Sequence, residues 1–176
     1  MSDFYIKKLL RIQDLKCPVK RNFMIKHYKD NPVDFINHWV MTVDPRVIGS
    51  LMPFNLYPRQ EELIQFFKDC HEKKEKAVVE KSRDVGVSWV CCAFSVWFWL
   101  FNNHKAVGFG SETMAKADTL GVASSILEKI RIIIDNLPTE LKPIGYERKK
   151  HALHKKIINP ENGSIITGVG SDGMGR

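Results

Sequence analysis

The chain has 176 residues, 44% of them hydrophobic and 27% charged, which is ordinary for a soluble globular domain built on one core. Lys and Arg number 27 against 20 Asp and Glu, and the net charge of +7 raises the odds of a polyanionic partner such as nucleic acid. The four cysteines, Cys17, Cys70, Cys91 and Cys92, form no C-x-x-C pair, so neither a zinc site nor a disulfide framework is indicated and a reducing, cytoplasmic setting is expected.

Residues 1–30 carry eight Lys or Arg among scattered apolar residues, consistent with an exposed basic helix and linker. Charges break every short apolar group in the opening stretch, which does not read as a signal peptide. "NPVDFINHWV" predicts a short helix, with Asn31 as N-cap and Pro32 at the first helical position. "VDPRVIGSLMPFNLYP" reads as a loop, from its prolines and Gly49. "PRQEELIQFFKDCHEKK" returns to helix at Pro58, with Leu63, Phe66, Phe67 and Cys70 on one stripe.

"KAVVEKS", residues 76–82, is a short β-branched apolar run and predicts a buried strand. It leads through a glycine loop into "WVCCAFSVWFWLF", residues 89–101. That run is shorter than the roughly 17–25 residues a membrane-spanning helix needs, so a buried core helix is expected. "KAVGFGS" resembles a second strand, and residues 112–136 place Met114, Ala117, Leu120, Leu127, Ile130 and Ile134 at helical spacing. Two strand–helix units in succession imply a parallel α/β sheet. Beyond them Pro138, Pro143 and Pro160 exclude a long helix, and "NPENG" reads as a turn between two strands.

The loop itself, in "VVEKSRDVGVSW", is a deviant match to the phosphate-loop pattern G-x-x-x-x-G-K-[ST]. Gly86 takes the second glycine and Ser88 the hydroxyl, but Val87 stands where the lysine belongs and Lys81 where the first glycine belongs. On a phosphate-binding reading, the backbone from Ser82 through Arg83, Asp84, Val85, Gly86 and Val87 to Ser88 forms a nest for a phosphate at the positive end of the following helix. Ser88 offers its hydroxyl to Mg²⁺, Lys81 leans toward the γ-phosphate as a relocated lysine, and Arg83 is the second cation. The alternative is a plain strand-to-helix turn with Lys81 and Arg83 in solvent.

These residues resemble the N-terminal ATPase half of the large terminase subunits of tailed bacteriophages, a family that often carries its loop lysine or arginine at the front, as "EKSRDVGVSW" does. "LYPRQEELIQFF" is similar to the family's adenine-reading segment, in which a glutamine follows an aromatic–proline pair. "VGFGSETMAKADTLGVASSILEKIRIIIDNLP" resembles the strand and helix after the loop, and "NGSIITGVGSDGMGR" the strand and glycine-rich stretch before the acidic magnesium motif, with Arg176 near the phosphates. The resemblance implies a P-loop NTPase-like parallel sheet flanked by helices and incomplete at the C-terminus, with a basic helical segment at 1–50 and a partial ATPase domain at 51–176. It implies ATP and Mg²⁺ as cofactors, Lys81 and Arg83 as catalytic cations, and Tyr57 and Gln60 beside the loop residues in nucleotide binding. The Gln60 carboxamide suits the N6 and N7 edge of adenine, and Tyr57 suits stacking on the ring. Duplex DNA, the small terminase subunit, the portal and a homo-oligomeric ring are the implied partners, and the bacterial host cytoplasm the implied location.

One departure matters. The family's next segment is an apolar strand ending in paired acidic residues, one for Mg²⁺ and one for the attacking water, and no such strand follows residue 150 here. The resemblance likewise extends to no counterpart of the family's nuclease domain within these residues. Phosphoryl transfer depends on positioning and metal electrostatics, so the family's hydrolase activity is not assigned to this polypeptide. Two readings stay open: the ATP-binding portion of a DNA-packaging motor, or a non-catalytic nucleotide- or DNA-binding remnant of a prophage gene. A helicase-like ATPase is a weaker third. Arg148, Lys149, Lys150, Lys155 and Lys156 form a dense basic segment, either a DNA contact or a solvated hairpin. The six histidines, His151 and His154 among them, lack metal-ligand spacing.

Overall fold

The computed structural model describes residues 2–44, 50–83 and 85–171. Helices α1 (Ser2–Lys16) and α2 (Pro18–Asp30) follow one another across Cys17, and Pro18 takes a first-turn place where no N–H is needed. Helix α3 (Pro32–Trp39) starts as the sequence predicts, but the Asn31 amide donates back to the His27 carbonyl at 2.8 Å and so closes α2 instead of capping α3. The stretch expected to be loop holds two short strands, β1 (Met41–Val43) and β2 (Leu51–Pro53), paired antiparallel. Its prolines misled because Pro53 ends an edge strand, where no ladder N–H is required; residues 45–49 lie outside the described residues.

Helix α4 (Pro58–Lys73) buries Gln60 and Ile64, one turn apart, while Phe66 is 41% exposed. The buried stripe is therefore rotated from the one expected on Leu63, Phe66, Phe67 and Cys70. Helix α5 (Val87–Phe101) is the core helix, with Val90, Cys92, Ala93, Val96, Trp97, Phe98 and Trp99 buried against α3, α4 and the elements that follow. Those are β3 (Ala106–Ser111), α6 (Met114–Ala117), α7 (Ile126–Asp135), a 3₁₀ turn at Thr139–Leu141, α8 (Arg148–His151), β4 (Ala152–Leu153), β5 (Lys156–Ile158) and β6 (Ile165–Gly170). Among the described residues no helix is long and apolar enough to cross a membrane.

The sheet order is β3-β6-β5-β4, and only β3 and β6 run parallel. The protein is thus α/β with a mixed sheet, not the wholly parallel sheet expected. Connection length explains the mixture: β4 to β5 and β5 to β6 turn in a few residues and must be antiparallel, whereas β3 to β6 crosses over through helices. The turn expected at "NPENG" lies between β5 and β6, and it also closes the buried C-terminal end of α5. Asn159 and Asn162 each donate to the Trp99 carbonyl at 3.0 Å, and Asn162 also to Leu100 at 3.1 Å, supplying partners for end carbonyls that no helix satisfies alone.

Two expected elements are absent as drawn. Residues 76–82 form no strand and are exposed, Val78 to 93%. A strand buried in a parallel sheet needs a near-continuous apolar run, and Ala77, Val78 and Val79 stand alone between charged neighbours. The helix expected over 112–136 divides into α6 and α7, because Asp118 leaves the helix to serve a buried ion cluster and Gly121 turns the chain at φ +78°.

That cluster ties α7 to the sheet. Arg131, fully buried, donates to Asp118 at 2.6 and 2.9 Å, to Glu128 at 3.2 Å and to the Leu153 carbonyl at 2.8 Å. Asp118 also accepts the Lys155 N–H at 2.6 Å. Burial alone would raise the Asp118 carboxyl, but the Arg131 guanidinium and the Lys155 N–H together hold it below the usual aspartate value. A carboxyl depressed in the folded state gives stability that is present above its unfolded pKa and lost as pH falls through the folded one. Asp118→Asn is therefore expected to cost about 3 kcal/mol at neutral pH, the low end for breaking a buried pair because Glu128 still faces Arg131. Urea unfolding from pH 7 down to pH 3 should show a smaller acid loss in the variant than in the wild type; parallel curves would contradict this role.

Candidate functional site

The loop before α5 is set by one backbone position. Gly86 is the N-cap of α5 at φ +75°, ψ 6°, a left-handed conformation that a residue with a Cβ adopts only under strain. A Cβ there would sit 2.9 Å from Gln60 Nε2, so the Gln60 amide would also have to shift. The Gly86 carbonyl accepts the Trp89 and Val90 N–H groups at 3.0 and 3.1 Å and so starts the helix. The Val87 and Ser88 N–H groups then have no intrahelical acceptor, and the first turn of α5 holds no acidic residue. The first N–H groups of a helix, at its positive end, are an anion site in kind.

Lys81, Ser82, Arg83 and Ser88 are exposed around that end, Val85 is 42% exposed, and Gly86 and Val87 are half-buried. The cations are thus on the surface of the loop and available to a polyanion. Asp84 and Arg176, both singled out from the sequence, lie outside the described residues, as do all of 172–176.

Gln60 reaches this loop from α4. It is 8% exposed, its Oε1 accepts the Tyr57 N–H at 3.0 Å, and its Nε2 donates to the Val85 carbonyl at 3.1 Å. The chemistry fixes the orientation of the amide, because the reversed one would set NH₂ against an N–H and oxygen against a carbonyl. Two segments 25 residues apart, one matched to adenine and one to phosphate, therefore meet in space. Tyr57, by contrast, is 72% exposed, at the N-cap of α4.

Two residues important here escaped the sequence reading. Asn37 of α3 accepts the Leu56 N–H at 2.8 Å and donates to Glu61 at 3.0 Å, which fixes the start of α4 and so the position of Gln60. Nothing in the sequence marks it. Lys129 of α7 lies 5.7 Å over the Trp89 ring in the first turn of α5, its ammonium pKa lowered by burial. Burial raises the Cys91 thiol and pushes Cys92 up to about 12, which disfavours the thiolate of each.

The residues fit a phosphate group better than they fit a bare metal ion. Among the described residues no group of three or more His, Cys, Asp or Glu is placed to hold a metal. Ser88, at the hydroxyl position of the phosphate-loop pattern, would offer its oxygen to Mg²⁺, and phosphate oxygens and water would be further ligands of such an ion. Clefts of about 750 Å³, between α2 and residues 139–146, and about 510 Å³, between α4, α5 and β3, lie apart from residues 81–88.

The basic segment forms α8 and the β4–β5 hairpin, which turns at Lys155 with φ +65°. Arg148 pairs with Glu128 and Asp135, and Lys150 with Glu147 at 2.7 Å, while all four lysines are exposed. No protein-family model matches the chain, and no curated protein matches its sequence.

A duplex lying along this hairpin should bind without sequence preference, each neutralised phosphate adding roughly 0.9 to the log–log salt slope. Replacing Lys149, Lys150, Lys155 and Lys156 with Gln is then expected to lower that slope by about two to four. Anisotropy with two unrelated duplexes measures it, and an unchanged slope would remove the hairpin from the DNA path.

Proposed function

We propose that the chain is the ATP-binding portion of a viral DNA-packaging motor, a P-loop NTPase-like module of the terminase large-subunit kind working on duplex DNA in the host cytoplasm. The observation that carries this reading is the contact between Gln60 and Val85, which sets the segment suited to adenine against the segment suited to phosphate. The spacing is supportive in chemical terms. The α5 N-terminus offers first-turn N–H groups, Lys81 and Arg83 offer charge, and the Gln60 carboxamide donates to the Val85 carbonyl of the same loop.

In this reading the backbone amides at Val87 and Ser88 hold phosphate oxygens, Lys81 and Arg83 neutralise them, and Ser88 contributes to Mg²⁺ brought in with the nucleotide. The metal supplies electrostatic stabilisation of the phosphate charge when bound. Gly86 takes the left-handed turn into α5, at φ +75°, that a residue with a Cβ adopts only under strain. The small terminase subunit, the portal and a ring of copies are partners on the same proposal.

Calorimetry with ATP and Mg²⁺ tests it. Lys81→Ala is expected to abolish binding, while Lys76→Ala, a cation outside the loop, should leave it unchanged. Equal binding by the wild type and the Lys81 variant would remove the relocated lysine from the account.

A further inference from the structure

Helix α1 carries apolar side chains on two faces, and the fold covers one of them. Phe4, Lys8, Arg11, Ile12 and Leu15 lie toward the protein: Leu15 is fully buried, Ile12 packs on the core, and Lys8 donates to the Trp39 carbonyl at 3.4 Å. On the opposite face Ile6, Leu9 and Leu10, spaced i, i+3 and i+4, are 57%, 63% and 56% exposed, and Gln13 is exposed one turn further on. Neighbours at that spacing form one patch of aliphatic surface, not scattered single residues.

The charges beside the patch indicate what covers it. With Lys8 and Arg11 turned toward the protein, the remaining ionic side chains of α1 are Asp3, Lys7, Asp14 and Lys16, two of each sign. Residues 1–30 as a whole are basic, yet this face is neutral, so it neither selects an acidic partner nor repels a copy of itself. Lys7 and Asp14 stand two turns apart on one flank of the helix. An antiparallel copy of α1 centred on Leu10 therefore sets Lys7 of each chain against Asp14 of the other, twice by symmetry, with the aliphatic side chains meeting between them. A lipid surface fits less well, because the side of α1 away from the patch is packed on protein where an interfacial helix presents a charged face to water.

We infer that the outer face of α1 is a self-association surface, pairing two copies of the chain antiparallel about Leu10. The pairing needs no nucleotide and stands apart from the ATP-binding reading above. It is isologous, the same face on both partners, and so closes at two copies, whereas a ring joins unlike faces. In the single chain Lys7 and Asp14 sit in exposed pairs, with Asp3 at 2.7 Å and with Lys20 at 2.6 Å, which cost little to exchange for partners on another copy. The patch is small, and the dimer is accordingly weak.

Sedimentation equilibrium of the full chain, without nucleotide and from about 10 μM to about 1 mM, tests the pairing. The wild type is expected to pass from monomer toward dimer across that range. Leu10→Glu brings two like charges together at the centre of the pair and should weaken association by at least about tenfold. Because Leu10 is exposed, its thermal unfolding should match the wild type. Phe23→Glu on α2, at a position 75% exposed, controls for a general loss of apolar surface and should leave association unchanged. Lys7→Glu should weaken the dimer severalfold, and Lys7→Glu together with Asp14→Lys should restore it, since the same pair then forms with its signs exchanged. A wild type that stays monomeric throughout, or a dimer that survives Leu10→Glu or is lost equally in Phe23→Glu, would overturn the proposal. Failure of the exchanged charges to restore association would overturn the antiparallel pairing.

Discussion

The burial of α5 is the constraint on which the other elements depend. Its apolar residues face α3, α4, α7 and the sheet, so the last carbonyls of the helix, packed on that core, need partners from the protein. The C-terminal end takes Asn159 and Asn162 from the turn between β5 and β6. Trp97 donates from the middle of the helix to the Tyr28 carbonyl at 2.7 Å and brings α2 onto the same core. The N-terminal end is different: it starts at a left-handed glycine and lies beside the exposed Lys81, Arg83 and Ser88. A helix closed at its C-terminal end by protein thus leaves its positive pole beside exposed residues.

Why that end is ordered is answered by the side of the molecule that packs against it. Gln60 is buried on α4, α4 is started by Pro58 and steadied by Asn37, and the carboxamide lands on the carbonyl before Gly86. Local rules thus agree with a site that is assembled from two distant segments. On the proposed reading, nucleotide affinity comes from fixing the loop as much as from its charges. A loop that must be ordered on binding loses part of its binding energy to that ordering.

Much of this was legible in the residues. The apolar run at 89–101 is the core helix, Pro32 and Pro58 start helices where proline is tolerated, and the "NPENG" turn joins two strands. Gly86 and Gln60 were both singled out, although the bond from Gln60 to Val85 was not, because a hydrogen bond across 25 residues has no sequence period. Illegible features share one cause: they depend on tertiary partners. The Ala77–Val79 run has β propensity, but too few apolar residues to bury itself. Asp118 breaks a helical pattern because Arg131 needs it, and the clue was two charged residues, Glu128 and Arg131, on the buried stripe of α7. The sheet is mixed because connection lengths, not strand composition, decide strand direction.

The central claim is that Gln60 and the loop before α5 form one nucleotide site. Titrating isotope-labelled protein with ATP and Mg²⁺ and following amide resonances by NMR tests it most directly. The account predicts that the backbone amides from Val85 to Trp89 and the side-chain amide of Gln60 shift together and saturate at one common ATP concentration. Saturable shifts confined to the cleft between α2 and residues 139–146, with the loop and Gln60 unmoved, would contradict it.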